Sequence, residues 1–428
     1  MMNSSATLSG LAPQIAPEHN LTERLYYTDS FLNEFDAHVR AVSHDSGRTA
    51  VTLDRSTFYP TSGGQVFDTG WLELPDPGGP RRLRVTEVAE NEQTGDVLHF
   101  VEAGSQELQA GMLLRGMVNA DRRRDHMQQH SGQHVLSAAF EKLHAFATVS
   151  FHMGEESCTI DLAADAVSAR QVQAAETLAN EVIGEDRPVE IRFATADEAR
   201  AMGVRKIPPT ERDHLRLIDI RDFDLNACGG THVRSTGQIG SILLRKTEKV
   251  KQGVRVEFVC GLRAVRTARR DFETLTDAAA VFSTHIWEVP QQVRKSLEDI
   301  KAAQKAQHHL LEEVAELQAE RLLQTAEDRG DYKLVVRFLA DRDLGYLKML
   351  AQKLTRSGRA IALLSGGGAQ PSLVFGQTPG LGHDMGALMK QTVQQLGTRG
   401  GGNRDMAQGG APDAKSAEQA LLHAASAL

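Results

Sequence analysis

The stretch His130-Ser131-Gly132-Gln133-His134-Val135-Leu136 lies where the sequence changes its period. Upstream, apolar and polar residues alternate in short runs, among them 38–42, 50–53 and 97–101. Alternation of period two describes half-buried strands, and the turn clusters at Ser62-Gly63-Gly64 and across 75–80 separate them. From Asp121 to His144 the apolar positions Val135, Leu136, Ala139, Phe140 and Leu143 recur three and four apart, which predicts a helix. Short strands at this spacing predict a small antiparallel barrel or sandwich over residues 22–119.

Downstream the reading is α+β. Strands are predicted at 159–162, 189–193, 215–220 and 254–259, with a helix from Ser168 to Gly184, so 120–261 forms one mixed domain. Residues 262–330 read as helix almost throughout, divided at Pro290. Leu297, Ile300, Leu311, Val314 and Leu317 make an imperfect apolar seam, which fits a helical hairpin spacer better than an extended dimer coil. Strands return at 334–338, 360–364 and 372–375, giving a small C-terminal α/β domain over 331–428 with a glycine-rich segment from Gly397 to Gly410. Residues 1–21 read as a flexible tail.

On the predicted helix, His130 and His134 share a face, because residues four apart stand one turn above each other. The other half of the pattern is Cys228-Gly229-Gly230-Thr231-His232, where two glycines let a thiolate and an imidazole wrap one ion. Together they offer one sulfur and three nitrogens, a donor set that suits tetrahedral zinc. A zincin protease needs a glutamate directly after the first histidine, and Ser131 stands there instead. Ser131 itself reads as a small residue on the helix surface. His126, one turn before His130, reads as a partly exposed surface histidine. Four protein donors normally close a structural site, whereas a catalytic one needs a displaced ligand or an expanded shell.

The chain has 428 residues, 48 Lys and Arg against 56 Asp and Glu, and a formal charge of −8. That balance excludes nucleic-acid binding through global charge but leaves room for a local basic face, such as Arg122-Arg123-Arg124 with Arg263, Arg266, Arg269 and Arg270. There is no apolar run long enough to span a bilayer and no secretion-type start. Three cysteines, Cys158, Cys228 and Cys260, make no disulfide framework, and the expected compartment is the cytoplasm.

Further blocks accompany the two half-sites. They are Phe58-Tyr59-Pro60-Thr61-Ser62-Gly63-Gly64-Gln65 with Asp68-Thr69-Gly70 behind it, Thr236-Gly237-Gln238-Ile239-Gly240, and the tail from Gly400 to Gly410. In this order they resemble the alanyl-tRNA editing family, in its long free-standing AlaX type. The chain is too short for a class II aminoacylation domain ahead of the predicted barrel. The resemblance implies a small N-terminal β-barrel, a zinc-bearing α/β editing domain, a helical spacer and a C-terminal α/β domain for tRNA binding or oligomerisation. It implies an ATP-independent hydrolase serving translation fidelity. Its substrate would be mischarged alanine-specific tRNA, seryl-tRNA chiefly and glycyl-tRNA second, and a homodimer through the spacer or C-terminal domain is a further expectation. A tRNA-binding protein with a structural zinc site is the alternative.

The resemblance carries the zinc ligands onto His130, His134, Cys228 and His232. It places Thr61 where the serine hydroxyl is read, makes Gln65 a candidate for positioning substrate or water, and brings His152 to the pocket wall. His126 matches no ligand position. Asn403-Arg404 stands where the family often has arginine-proline.

Overall fold

A computed structural model describes residues 21–45, 47–75, 79–102, 108–204 and 214–428. The expected tail, save Leu21, and residues 76–78 of the proline-rich turn lie outside the described residues. The chain forms two compact units, one ending at Thr274 and one beginning at Leu275.

In the first unit the alternating segments close into a six-stranded barrel rather than a sandwich. Around the barrel the strands run Glu34–Asp45, Arg48–Leu53, Val97–Val101, Arg81–Glu90, Gly70–Leu74 and Leu113–Val118, all paired antiparallel. Closure removes the exposed edges that an open sheet of this size would present. Val51, Leu53, Leu72, Val85 and Val88 fill the interior with no exposed surface.

The barrel's last strand runs into helix α1, Ala120–His144, whose N-cap Asn119 accepts the Arg122 N–H. Helix α2, Ala169–Gly184, starts with a capping box between Ser168 and Gln171, as its sequence Ser-x-x-Gln requires. Both helices contribute to one core with a four-stranded sheet. That sheet is ordered Ile242–Val250, Gly253–Cys260, Cys158–Leu162 and Thr148–Met153. A three-stranded sheet, Val189–Ala194, Leu215–Ile220 and Asp224–Ala227, leads directly to the Cys228 turn. Helix α3, Ala196–Ala201, and the start of helix α4, Gly261–Val281, complete this unit.

Arg123 ties barrel to helix. It is fully buried, donates to both Asp68 carboxylate oxygens, and also donates to the carbonyls of Ser30 and Thr57. The sequence places it in a basic run on a solvated face; the structure corrects this. A buried guanidinium is tolerated here because a carboxylate and two carbonyls satisfy it.

The second unit holds helix α5, Val289–Gln324, whose Pro290 sits in the first turn where a missing N–H costs nothing. Its six-stranded sheet has one parallel pair, Lys333–Leu339 with Ala360–Gly366. Successive strand residues face opposite layers. Ile361, Leu363 and Phe375 pack with helices α7, Met385–Gln395, and α8, Ala414–Ser426. Ala362, Leu364 and Val374 pack with helix α6, Leu344–Ser357, and the buried Ala315 and Ala319 of α5. The glycine-rich segment supplies two short strands, Gly400–Gly402 and Met406–Gly410.

Candidate metal centre

The two half-sites, nearly one hundred residues apart in sequence, meet. One ligand atom each from His130, His134, Cys228 and His232 lies within 4.8 Å of all the others. The Cys228 Sγ stands 3.5 Å from His130 Nε2 and 3.3 Å from His232 Nε2. Sulfur and nitrogen on one tetrahedral zinc stand about 3.5 Å apart at ordinary bond lengths, so these two pairs have that spacing and the four donors suit the ion in type.

Each imidazole is held from behind through its other nitrogen. His130 Nδ1 meets Gln65 Oε1 at 2.8 Å, His232 Nδ1 meets Ser131 Oγ at 3.2 Å, and His134 Nδ1 lies 3.5 Å from Asp224 Oδ2. Such outer partners fix the ring's tautomer and aim its free nitrogen inward. Gly230 makes the approach of the half-sites sterically feasible, and Gly132 lets α1 pack against Cys260. A Cβ on Gly230 would stand 2.1 Å from His130 Cε1, and one on Gly132 would stand 2.3 Å from Cys260 Sγ, so neither position has room for a side chain. Arg216 staples the turn by donating to the carbonyls of Cys228 at 2.7 Å and Gly230 at 2.9 Å.

The electrostatics favour a thiolate. Burial opposes its charge, yet the His130 and His232 rings hold the Cys228 thiol well below the usual range. Burial presses His232 down to about 3, while His134, also desolvated, is carried up to about 9 by its bonds to Asp224 and Cys228.

Several site residues differ from their sequence reading. Ser131 is buried, not on the surface; besides holding His232 it accepts the Val233 N–H at 3.1 Å. His126 is buried too, its Nδ1 3.9 Å from Asp68 Oδ1, but it stays outside the four-donor cluster. Both polar ends of Gln65 are occupied, since Oε1 also accepts the Thr231 N–H and Nε2 donates to Thr231 Oγ1 at 2.9 Å. Gln65 therefore orients His130, and its Nε2 keeps a second N–H beyond the bond to Thr231. Thr61 is exposed in the loop that ends at Gln65. His152 is exposed as well. Its neighbour Phe151 stacks on His130 with ring centroids 5.4 Å apart, and strand alternation turns His152 to the opposite face. Phe151, Asp224 and Arg216 escaped the sequence reading because their contacts join distant segments; only the proximity of Asp224 to Cys228 in sequence offered a hint.

The chain thus combines a closed barrel with a mixed α/β region carrying a three-histidine, one-cysteine cluster that could hold a metal, and comparison with known proteins gives it relatives. Residues 215–256 match the model of the threonyl and alanyl tRNA synthetase second additional domain, and residues 16–122 match that of the class II (A) tRNA synthetases. The alanine–tRNA ligase of Archaeoglobus fulgidus is 31% identical over 418 residues, covering 94% of this chain and 44% of the ligase. The corresponding ligase of Natronomonas pharaonis is 33% identical over 431 residues, again with 44% of the ligase covered. The chain thus spans less than half the length of these ligases. The alanyl-tRNA editing protein AlaX-L of Pyrococcus horikoshii is 27% identical over 391 residues, and there the match covers 91% of this chain and 94% of the relative. Over nearly its whole length, then, the chain resembles the alanyl-tRNA editing proteins of the long AlaX type.

Proposed function

We propose that the chain is an aminoacyl-tRNA deacylase acting in trans, which hydrolyses the ester of mischarged alanine-specific tRNA. The seryl ester is its main substrate and the glycyl ester the second. The observation that carries this reading is the convergence of the two half-sites beside the Thr61–Gln65 loop, in a chain that spans the AlaX-L relative almost end to end.

His130, His134, Cys228 and His232 would hold zinc, which would supply a Lewis acid near the ester carbonyl or a water of lowered pKa. The chain's own residues do the rest. Gln65, Ser131 and Asp224 orient the three imidazoles, and Arg216 keeps the Cys228 turn in place. Phe151 shields one face of His130. An aminoacyl ester is labile, so holding its carbonyl and a water in register is the main requirement. Thr61, exposed without substrate, reads the serine hydroxyl once the amino acid covers it. With alanine its hydroxyl is then left without that partner, which disfavours the correct amino acid.

The partner is tRNA, and its place of action is the cytoplasm, with translation. No helix among the described residues is long and apolar enough to cross a membrane. Along α5, Leu297, Ile300 and Leu317 are exposed, which supports a homodimer seam there, with the C-terminal unit as a further tRNA or dimer contact. The four-donor set also supports a second reading, a structural zinc in a tRNA-binding protein without hydrolysis. Deacylation of seryl-tRNA and alanyl-tRNA, with and without a chelator, decides between them. Chelator-sensitive loss of serine, faster than alanine, is expected; serine loss no faster than in buffer leaves the structural reading.

A further inference from the structure

One turn before His130, the start of α1 and the start of α4 border a cleft of about 480 Å³. His126 on its wall stands one helical turn, about 5.4 Å along the axis, before His130. The cleft walls belong to the same segments as the metal centre. Val66 follows Gln65, and Gly154 follows Met153, whose N–H donates to the Gly64 carbonyl at 3.0 Å. A smaller recess bordered by Glu156 and Arg270 shares Glu155, Arg263 and Arg266 with it.

The charges in the cleft divide into committed and free. Arg263 is buried, paired with Asp125 at 2.6 Å and donating to the Gly154 carbonyl. Arg122 also lines the cleft, with Nε on the Phe67 carbonyl at 3.0 Å and its guanidinium over the Phe67 ring. Arg124 and Arg266 are exposed, and neither has a carboxylate partner within ion-pair distance among the described residues. Asp121, Glu155 and Glu156 are the acidic groups on the rim. At the wall sits His126, 1% exposed, with a buried Nδ1 that finds no hydrogen-bond partner; Asp68 Oδ1 is 3.9 Å away.

Unpaired guanidinium forks match phosphate oxygens. The volume suits a nucleotide rather than a duplex. Rim carboxylates, which repel phosphate, can accept from an exocyclic amine such as that of cytosine.

We propose that this cleft, through Arg124 and Arg266 with Arg122, receives the phosphodiester backbone of the single-stranded 3′ end of the RNA, the nucleotides just before the esterified ribose. The proposal rests on the deacylase reading for the direction in which the strand runs. Its test does not. The probe is an uncharged RNA hairpin with a single-stranded CCA end, compared with the same hairpin made blunt. Affinity is measured against salt by fluorescence anisotropy for the full chain and for a double variant, Arg124→Gln with Arg266→Gln, and zinc content is measured alongside.

With the CCA hairpin, the slope of log K against log salt becomes shallower by roughly 0.7 per lost phosphate contact, about 1.4 for two. Zinc content stays as in the parent, and the blunt hairpin shows no such change. An unchanged slope, or an equal change with both hairpins, overturns the proposal. A parent chain that fails to deacylate seryl-tRNA yet shows the slope change keeps the cleft and loses the deacylase reading. An active parent with an unchanged slope does the reverse.

Discussion

Helix α1 carries histidines at one spacing, 126, 130 and 134, and its two halves treat them differently. In the second half, His130 and His134 each meet a partner from another segment, Gln65 and Asp224, and turn their free nitrogens to Cys228. In the first half, His126 is as deeply buried but faces Asp68 at a distance, and Asp68 already serves Arg123. The spacing along a helix therefore nominates donors, and the outer partners select among them. A ligand histidine is recognised by what holds its other nitrogen.

The sharpest way to break this contrast is to remove one histidine from each half. His134→Ala should abolish bound zinc and seryl-tRNA deacylation together, while His126→Ala leaves zinc content as in the parent, both read by elemental analysis. Equal zinc loss in the two variants would erase the distinction between the halves. Next in size is the outer partner itself. Asp224→Asn keeps the four donors but weakens the hold on His134, so zinc affinity should fall roughly 10–100-fold, measured by competition with a chromophoric chelator. An unchanged affinity would mean that the 3.5 Å contact contributes nothing to the centre.

The loop that supplies Gln65 also carries Thr61, and the two should separate. Thr61→Val keeps shape and removes the hydroxyl. Discrimination of serine over alanine should drop roughly tenfold in kcat/KM, with zinc content and tRNA affinity unchanged. Parallel loss of tRNA affinity would make Thr61 a binding contact instead of a reader of the side chain.

How much of this was legible beforehand follows from range. The strands at 50–53 and 97–101, the helix from 121 to 144 and the capped start at Ser168 are written in local periods and local hydrogen bonds, and they appear where the sequence puts them. Closure into a barrel is not local, since it requires Glu34–Asp45 to meet Leu113–Val118 across the chain. The four donors were legible as two half-sites. Their supports were not, because Ser131 looks like a surface serine until the Cys228–His232 turn comes down on it. Arg123 was misplaced for the same reason. Three arginines in a row look solvated, and only the fold shows that the middle one points at Asp68. Thr61 and His152 were read from motif position alone, which says nothing of exposure or of which face of a strand is turned inward.

The first half of α1 can be tested directly through its response to acid. Burial lowers the His126 pKa to about 4, against an ordinary value of 6.5, although Asp68 and Asp125 pull the other way. The unfolded chain therefore binds this proton first as the pH falls. Between about 6.5 and 4 the unfolded state carries more protons than the folded one, so stability is fully present above 6.5 and declines on acidification through that window. At pH 5 the loss from this histidine is about 2 kcal/mol. His99 in the barrel core is lowered to about 4 by the same desolvation and contributes a parallel slope, so the parent's total acid sensitivity is not diagnostic by itself. The difference between parent and His126→Gln is diagnostic. Urea unfolding at pH 7 and pH 5 should show a smaller pH effect in the variant, with the His99 part retained. An identical pH effect in both proteins would mean that His126 is protonated in the folded state, paired with Asp68, and then the two halves of α1 would differ in metal binding but not in charge.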